Sequence, residues 1–189
     1  MTWSSAPGLM WITNIDPTVN DDESNGYFVG TWFYNNFSNR LFQCIDSTMG
    51  NAQWSVKPNW SQDTFTPSLE FGGSSTGITY NSRSGNYTRV GDLITFNIFI
   101  SLSSKGSANG DATITGLPFV NGSSNAAFIT YVQNVGLSLT YTTHGARIAP
   151  SQQFIRLIET GSLLSLQNLT DARCQNNSQL FVSGNYFLV

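Results

Sequence analysis

Residues 64–119 read TFTPSLEFGGSSTGITYNSRSGNYTRVGDLITFNIFISLSSKGSANGDATITGLPF, and this stretch decides the fold class. Short alternating runs are separated by Gly, Asn and Ser, which is the pattern of a β meander. Ile94, Phe96, Ile98, Ile100 and Leu102 share one parity, while Thr95, Asn97 and Ser101 share the other. Period two places the first set on one face of a strand. Leu93 and Phe99 interrupt the polar parity, so that face is also expected to be partly covered, by a second sheet or by another copy of the chain. Turns are predicted at Gly72-Gly73, Ser82 to Gly85, Gly91-Asp92 and Lys105 to Gly110.

The rhythm continues downstream. Ala126 to Gln133 reads as a strand apolar on both parities, and Val135, Leu137, Leu139 and Tyr141 alternate with small polar residues. Ala146–Ala149, Phe154–Glu159, Leu163–Leu169, Leu180–Val182 and Tyr186–Val189 complete the set. Between Ser151 and Leu169 a helix is arguable, but Gly161 splits the window and no cap accompanies it, so two strands are expected. Many short strands with Gly- and Asn-rich turns predict an all-β protein whose head, residues 64–189, is a jelly-roll-like β-sandwich.

Upstream, residues 1–25 carry Pro7, Gly8, Pro17 and an acidic triplet, Asp21-Asp22-Glu23, without helical period. They read as an extended N-terminal arm. Trp3, Leu9, Met10, Trp11 and Ile12 are too apolar for a free linker, so the arm is expected to pack on a neighbouring copy or a mounting protein. Residues 26–56 form an aromatic β-hairpin on paper: Tyr27 to Tyr34, a turn over Asn35 to Asn39, then Leu41 to Ile45. An isolated hairpin is marginal in water and cannot hide Tyr27, Phe28, Trp32, Phe33, Tyr34 and Phe37 by itself. Either the following domain or identical copies must cover those rings. Residues 57–63, around Pro58, Asn59 and Trp60, read as a linker.

Composition narrows the partners. Of 189 residues, 40% are hydrophobic and 13% aromatic, which is ample for a core. Only 10% are charged, against roughly 25% in ordinary soluble domains. Ser, Thr, Asn and Gly make up the polar surface, which suits uncharged hydrogen-bonding partners such as glycans or another protein. The net charge is −3 and no cluster of Lys and Arg could follow a phosphate backbone, so no nucleic-acid partner is expected. No apolar run approaches the roughly 20 residues of a membrane-spanning helix, and Met1 to Asn14 lacks the basic-then-apolar pattern of a secretory leader. Membrane insertion is not expected. Cys44 and Cys174 stand far apart and read as buried thiols.

Catalytic patterns are weak. Gly73-Ser74-Ser75-Thr76-Gly77 matches the nucleophile-elbow spacing, but that device needs a strand turning into a helix, and here it falls in a β meander. His144 is the only histidine, and with two distant cysteines it makes no metal-ligand cluster. Asp63, Glu70, Asp92, Asp111 and Glu159 are not paired by any spacing that would serve glycoside cleavage. No catalytic residue, metal or cofactor is expected. A binding surface fits better: rings beside uncharged polar groups cover sugar faces or protein patches at low entropic cost. Tyr87 and Tyr141 near turns, His144, and Arg83 and Arg147 as hydrogen-bond donors to an acidic glycan are the candidate receptor contacts. For the tyrosines, core or inter-subunit packing is the competing assignment.

The wording of several segments resembles a module of phage tail fibres and other virion fibre proteins. These are Thr64-Phe65-Thr66-Pro67, Phe71-Gly72-Gly73, Gly77-Ile78-Thr79-Tyr80, Gly85-Asn86-Tyr87-Thr88-Arg89-Val90-Gly91-Asp92 and Thr113-Ile114-Thr115-Gly116-Leu117-Pro118-Phe119. Gly26-Tyr27, Gly30, Trp32, Cys44, Asp46, Ala52 and Trp54 are similar to a short repeat of tail-fibre proteins that supports intertwined trimers. The resemblance implies a homotrimer joined through Tyr27, Phe28, Trp32, Phe33 and Tyr34. It also implies an arm bound to another virion protein, and a head that attaches the particle to a host cell-surface glycan or protein. Two other classes stay open: a structural virion component such as a head fibre or capsid decoration, and a small glycan depolymerase.

Overall fold

The computed structural model describes residues 10–58, 60–123, 127–128, 131–135, 143–161 and 164–188. Strands joined by tight turns make up nearly all of it, in two units, Met1–Asn59 and Trp60–Val189.

In the first unit a four-stranded sheet runs in the order β1 (Met10–Thr13), β2 (Trp32–Asn35), β3 (Arg40–Asp46), β4 (Gln53–Lys57). The aromatic hairpin is β2 and β3, antiparallel, with Phe33 opposite Phe42. Within the segment expected to be an extended arm, of which Trp3 and Leu9 lie outside the described residues, Met10–Thr13 adds a parallel strand to this hairpin, with Trp11 opposite Phe33. The physical reason is the same apolar character that sequence reading noticed: the nearest uncovered backbone and rings belong to the chain itself. Trp11, Tyr27, Phe33 and Trp54 form a cluster with ring centroids 4.9 to 6.0 Å apart. Tilted and edge-on ring contacts of this kind add about 0.5–1.5 kcal/mol each beyond the area they bury. Phe33 is therefore only 2% exposed within its own unit.

The acidic triplet is spent on the turn that closes this unit. Asp22, itself buried, accepts from Gly50 N at 2.6 Å, Ser24 Oγ at 2.6 Å and Ser24 N at 2.9 Å. Asp21 Oδ2 accepts from Thr18 N at 2.6 Å. The Gly50 and Ser24 bonds hold the Asp22 carboxyl below its ordinary value. A depressed carboxyl contributes stability that is complete above its unfolded value near 4 and is lost as pH falls through the folded one. Asp22→Asn should therefore lower stability at neutral pH and flatten the fall in stability below about pH 4. Denaturant unfolding of both proteins from pH 7 to pH 2 measures it.

The second unit is a sandwich. One sheet has the order β11 (Tyr131–Val135), β15 (Gln179–Phe187), β8 (Leu93–Lys105), β7 (Ile78–Val90), β5 (Trp60–Phe65). The other has the order β10 (Ala127–Phe128), β12 (Thr143–Ile148), β13 (Ile155–Gly161), β9 (Ala112–Thr115), β6 (Ser68–Phe71), with β14 (Leu164–Asn168) pairing β13. The chain passes back and forth between the sheets, which is the jelly-roll-like, all-β head expected from the meander. Ile94, Phe96, Ile98, Ile100 and Leu102 do point inward together, and they meet Leu69, Phe71, Ile114, Ile155, Leu157, Leu180, Val182 and Tyr186. Ser151 to Leu169 is two strands, as the Gly161 break suggested.

Two sequence expectations fail here. Ser82 to Gly85 is not a turn but the middle of the 13-residue strand β7. Its turn-forming residues are overruled because β8 pairs all four of them, and β5 joins from the other side at Gly85, with irregular register only at Thr79 to Ser82. Gly85 serves packing: a β-carbon there would lie 2.6 Å from the Phe65 ring. The expected linker 57–63 does contain the boundary between the two units, Asn59/Trp60, but from Trp60 onward it is strand, since Trp60–Phe65 is β5. Cys44 and Cys174 are free, buried thiols, as expected.

Candidate functional site

Sequence reasoning named five receptor contacts, and the fold separates them. Arg83, in a strand rather than a turn, donates from Nη1 to Ser68 Oγ at 2.6 Å and lies over the Tyr80 ring at 4.4 Å. It ties β7 to the start of β6. Tyr87 is half-buried, edge-on to Phe119 at 5.3 Å, and packs against the core. His144 is half-buried on β12 opposite Glu159, and burial pushes its imidazole below the ordinary value, so it is neutral at pH 7. Glu159, 2% exposed, is held by Arg173 Nε at 3.2 Å and Gln167 Nε2 at 2.7 Å. This polar cluster closes one end of the core. Tyr141 lies outside the described residues. Of the four described, Arg83 and Arg147 are exposed, and Arg147 stands beside a groove.

The hairpin rings also divide. Phe33 and Tyr27 belong to the ring cluster of their own unit, so Phe33 is corrected from an interface residue to a core one. Trp32 and Tyr34 project from the opposite face of β2, in rows with Met10 and with Ile12 and Leu41. Met10 and Ile12 are exposed there, as are Phe28, outside the sheet, and Phe37 in the hairpin turn, the last at 86%.

Two grooves mark the sandwich surface. On the outer face of the five-stranded sheet, cross-strand registry makes one row of Thr64, Asn86, Asn97 and Ser183 and another of Gln62, Thr88, Thr95 and Asn185. The rows lie about 7 Å apart along the strands. Beyond the first row Ser84, Phe99 and Phe181 stand in register, the two rings 4.8 Å apart and tilted by 38°. None of these side chains is charged. Ser84, Asn86, Asn97, Phe99, Phe181 and Ser183 border a shallow groove of about 370 Å³. Asn97 Nδ2 donates to Asn86 Oδ1 at 3.4 Å, which leaves the Asn86 Nδ2 group, the second N–H of Asn97 and the Asn97 Oδ1 carbonyl for a ligand. The interruption at Phe99 was visible in sequence; its meeting with Phe181 and the two asparagines was not, because registry across 82 positions leaves no local trace.

The second groove, about 390 Å³, lies on the other sheet between Arg147, Ala149, Gln152, Phe154 and Arg156. Among the described residues, no group of three or more His, Cys, Asp or Glu side chains could hold a metal ion, and Ser75 of the elbow-like motif sits exposed in the turn between β6 and β7. No helix there is long and apolar enough to cross a membrane.

No protein-family model and no curated protein matches the chain. Among solved structures, the crystal structure of Dettilon tailspike protein is similar to it, with 25% sequence identity and a TM-score of 0.57 over 68% of this chain. The match spans 24% of the tailspike's length.

Proposed function

We propose that the chain is a tail-associated attachment protein of a phage, holding the particle to the host by non-covalent recognition of a surface saccharide. The observation that carries this reading is the charge-free outer face of the five-stranded sheet, with paired rings beside amides and hydroxyls. Rings cover the apolar face of a sugar, and neutral amides exchange hydrogen bonds with hydroxyls without the desolvation cost of charge. The tailspike similarity supports the location and binding rather than cleavage fits the surface. In the first unit, the face that carries exposed Met10 and Ile12 beside half-buried Trp32, Tyr34 and Leu41 is the one through which copies, three by the fibre resemblance, join. Joining multiplies modest contacts into avidity.

Purified protein should block phage adsorption, and Phe99→Ala with Phe181→Ala should weaken its binding to host envelope glycan by about 30-fold, the scale of a central aromatic contact near 2 kcal/mol. Unaltered adsorption in the presence of excess protein would defeat the attachment reading. Native mass spectrometry that finds only monomer would defeat the assembly part.

A further inference from the structure

We propose that the groove between Arg147 and Arg156 is an oxyanion subsite, which takes a carboxylate or phosphate carried by a surface saccharide; it rests on the attachment reading for its biological source, not for its chemistry. On β12 and β13, Arg147 and Arg156 are direct cross-strand partners. Like charges placed opposite each other on one sheet face destabilise it, and no core packing demands them, because their inward neighbours Ala146, Ile148, Ile155 and Leu157 already fill that side. The nearest acid gives little relief. Asp111 Oδ2 stands 3.9 Å from Arg156 Nη1 and accepts from Asn168 Nδ2 at 2.6 Å. Glu70 is in the same cross-sheet row, beyond Thr113, and accepts from Thr115 Oγ1 at 3.0 Å. The groove is left with positive charge and two forked donors, the geometry that guanidinium groups offer to an oxyanion.

The walls are built. Phe154 lies under the Arg156 guanidinium, 6.0 Å from ring centroid to Cζ, and provides an apolar floor beside the cations. Gln152 and Ala149 stand on a turn that is held in an uncommon conformation, with Ser151 at φ 57°. A non-glycine residue there costs on the order of 1–3 kcal/mol and persists only where its surroundings impose it. Asn121, 1% exposed, imposes it: its backbone N–H donates to Gln152 O at 2.9 Å, its Nδ2 to Ala149 O at 3.1 Å, and Ser151 N donates to its carbonyl at 3.1 Å. One wall of the groove is thus fixed before any ligand arrives, which reduces the ordering cost of binding. Charge, ring and an amide carried on the fixed turn together fit an acidic sugar unit: oxyanion on the arginines, ring face on Phe154, hydroxyl on Gln152.

The test is calorimetric titration of the full chain with three probes: oligogalacturonate for carboxylate, a poly(glycerol phosphate) oligomer for phosphate, and a neutral dextran oligomer. We expect at least one anionic probe to bind, with affinity falling as salt rises, and Arg147→Gln to weaken it about tenfold or more. Arg147→Lys should recover only part, since it restores charge without the fork. Thermal stability of Arg147→Gln should be unchanged or higher, because a like-charge contact is removed. Equal binding of the anionic probes by Arg147→Gln and wild type, or no binding of either anion, overturns the subsite. If that happens while the protein still blocks adsorption, the attachment reading survives; if anions bind through Arg147 but adsorption is not blocked, the subsite survives and the attachment reading fails.

Discussion

Phe96→Ala is expected to destabilise the sandwich by about 3–5 kcal/mol, which corresponds to a fall in melting temperature on the order of 10–20 °C. Phe96 is fully buried in the first third of β8, between Tyr87 on β7 and Gly184 on β15, with its ring 6.0 Å from that of Tyr186. Tyr186 itself is anchored, donating from its hydroxyl to Phe119 O at 3.0 Å. The anchored Tyr186 ring cannot move far to fill the space a truncation leaves, so the cavity remains and its cost adds to the lost burial. Phe96→Leu, which keeps most of the volume, should cost under half as much. Differential scanning calorimetry distinguishes the two; equal losses would mean that the fit of the ring, not the area or volume it fills, governs this core.

Arg173→Ala is the second large effect. Glu159 is buried at the sandwich end, and Arg173 Nε at 3.2 Å is the charge that compensates it, with Gln167 as an additional donor. Removing the arginine leaves a carboxylate in the interior with its amide donor alone, and breaking one side of such a pair costs about 3–5 kcal/mol. The double change Arg173→Ala with Glu159→Gln should recover much of the loss, because the uncompensated charge is gone and an amide can still bond Gln167. A double-mutant cycle on denaturant unfolding reads this directly. Recovery absent in the double variant would show that Arg173 acts through packing of its stem rather than its charge.

Attachment is tested by different residues from those that hold the fold. Phe99, Phe181 and Arg147 lie on outer faces, so their variants should bind less while melting normally, whereas Phe96 and Arg173 variants should melt early. That separation makes a loss of binding interpretable.

Much of this architecture is written in local order. Alternation from Leu93 to Leu102 specified a strand and its buried face, because side chains on neighbouring residues must point oppositely and only one parity is apolar. Gly161 marked the break between two strands, and Asn35 to Asn39 marked the hairpin turn, since turn residues act on their own backbone. The ring-rich hairpin was legible too, but what covers Phe33 was not: Trp54 is 21 positions away and Trp11 arrives from the other side of the sequence. Ser82 to Gly85 shows the limit most clearly. Its residues favour a turn in isolation, and pairing along β8, with β5 joining at Gly85, outweighs that preference. The placement of Arg147 against Arg156 and of Phe99 against Phe181 belongs to registry, which is set by how whole strands slide past one another to bury a common core. Composition and alternation determined that this chain is a sandwich with a weakly charged surface; tertiary pairing alone decided which side chains on that surface stand together, because contacts between distant strands depend on the packing of both sheets at once.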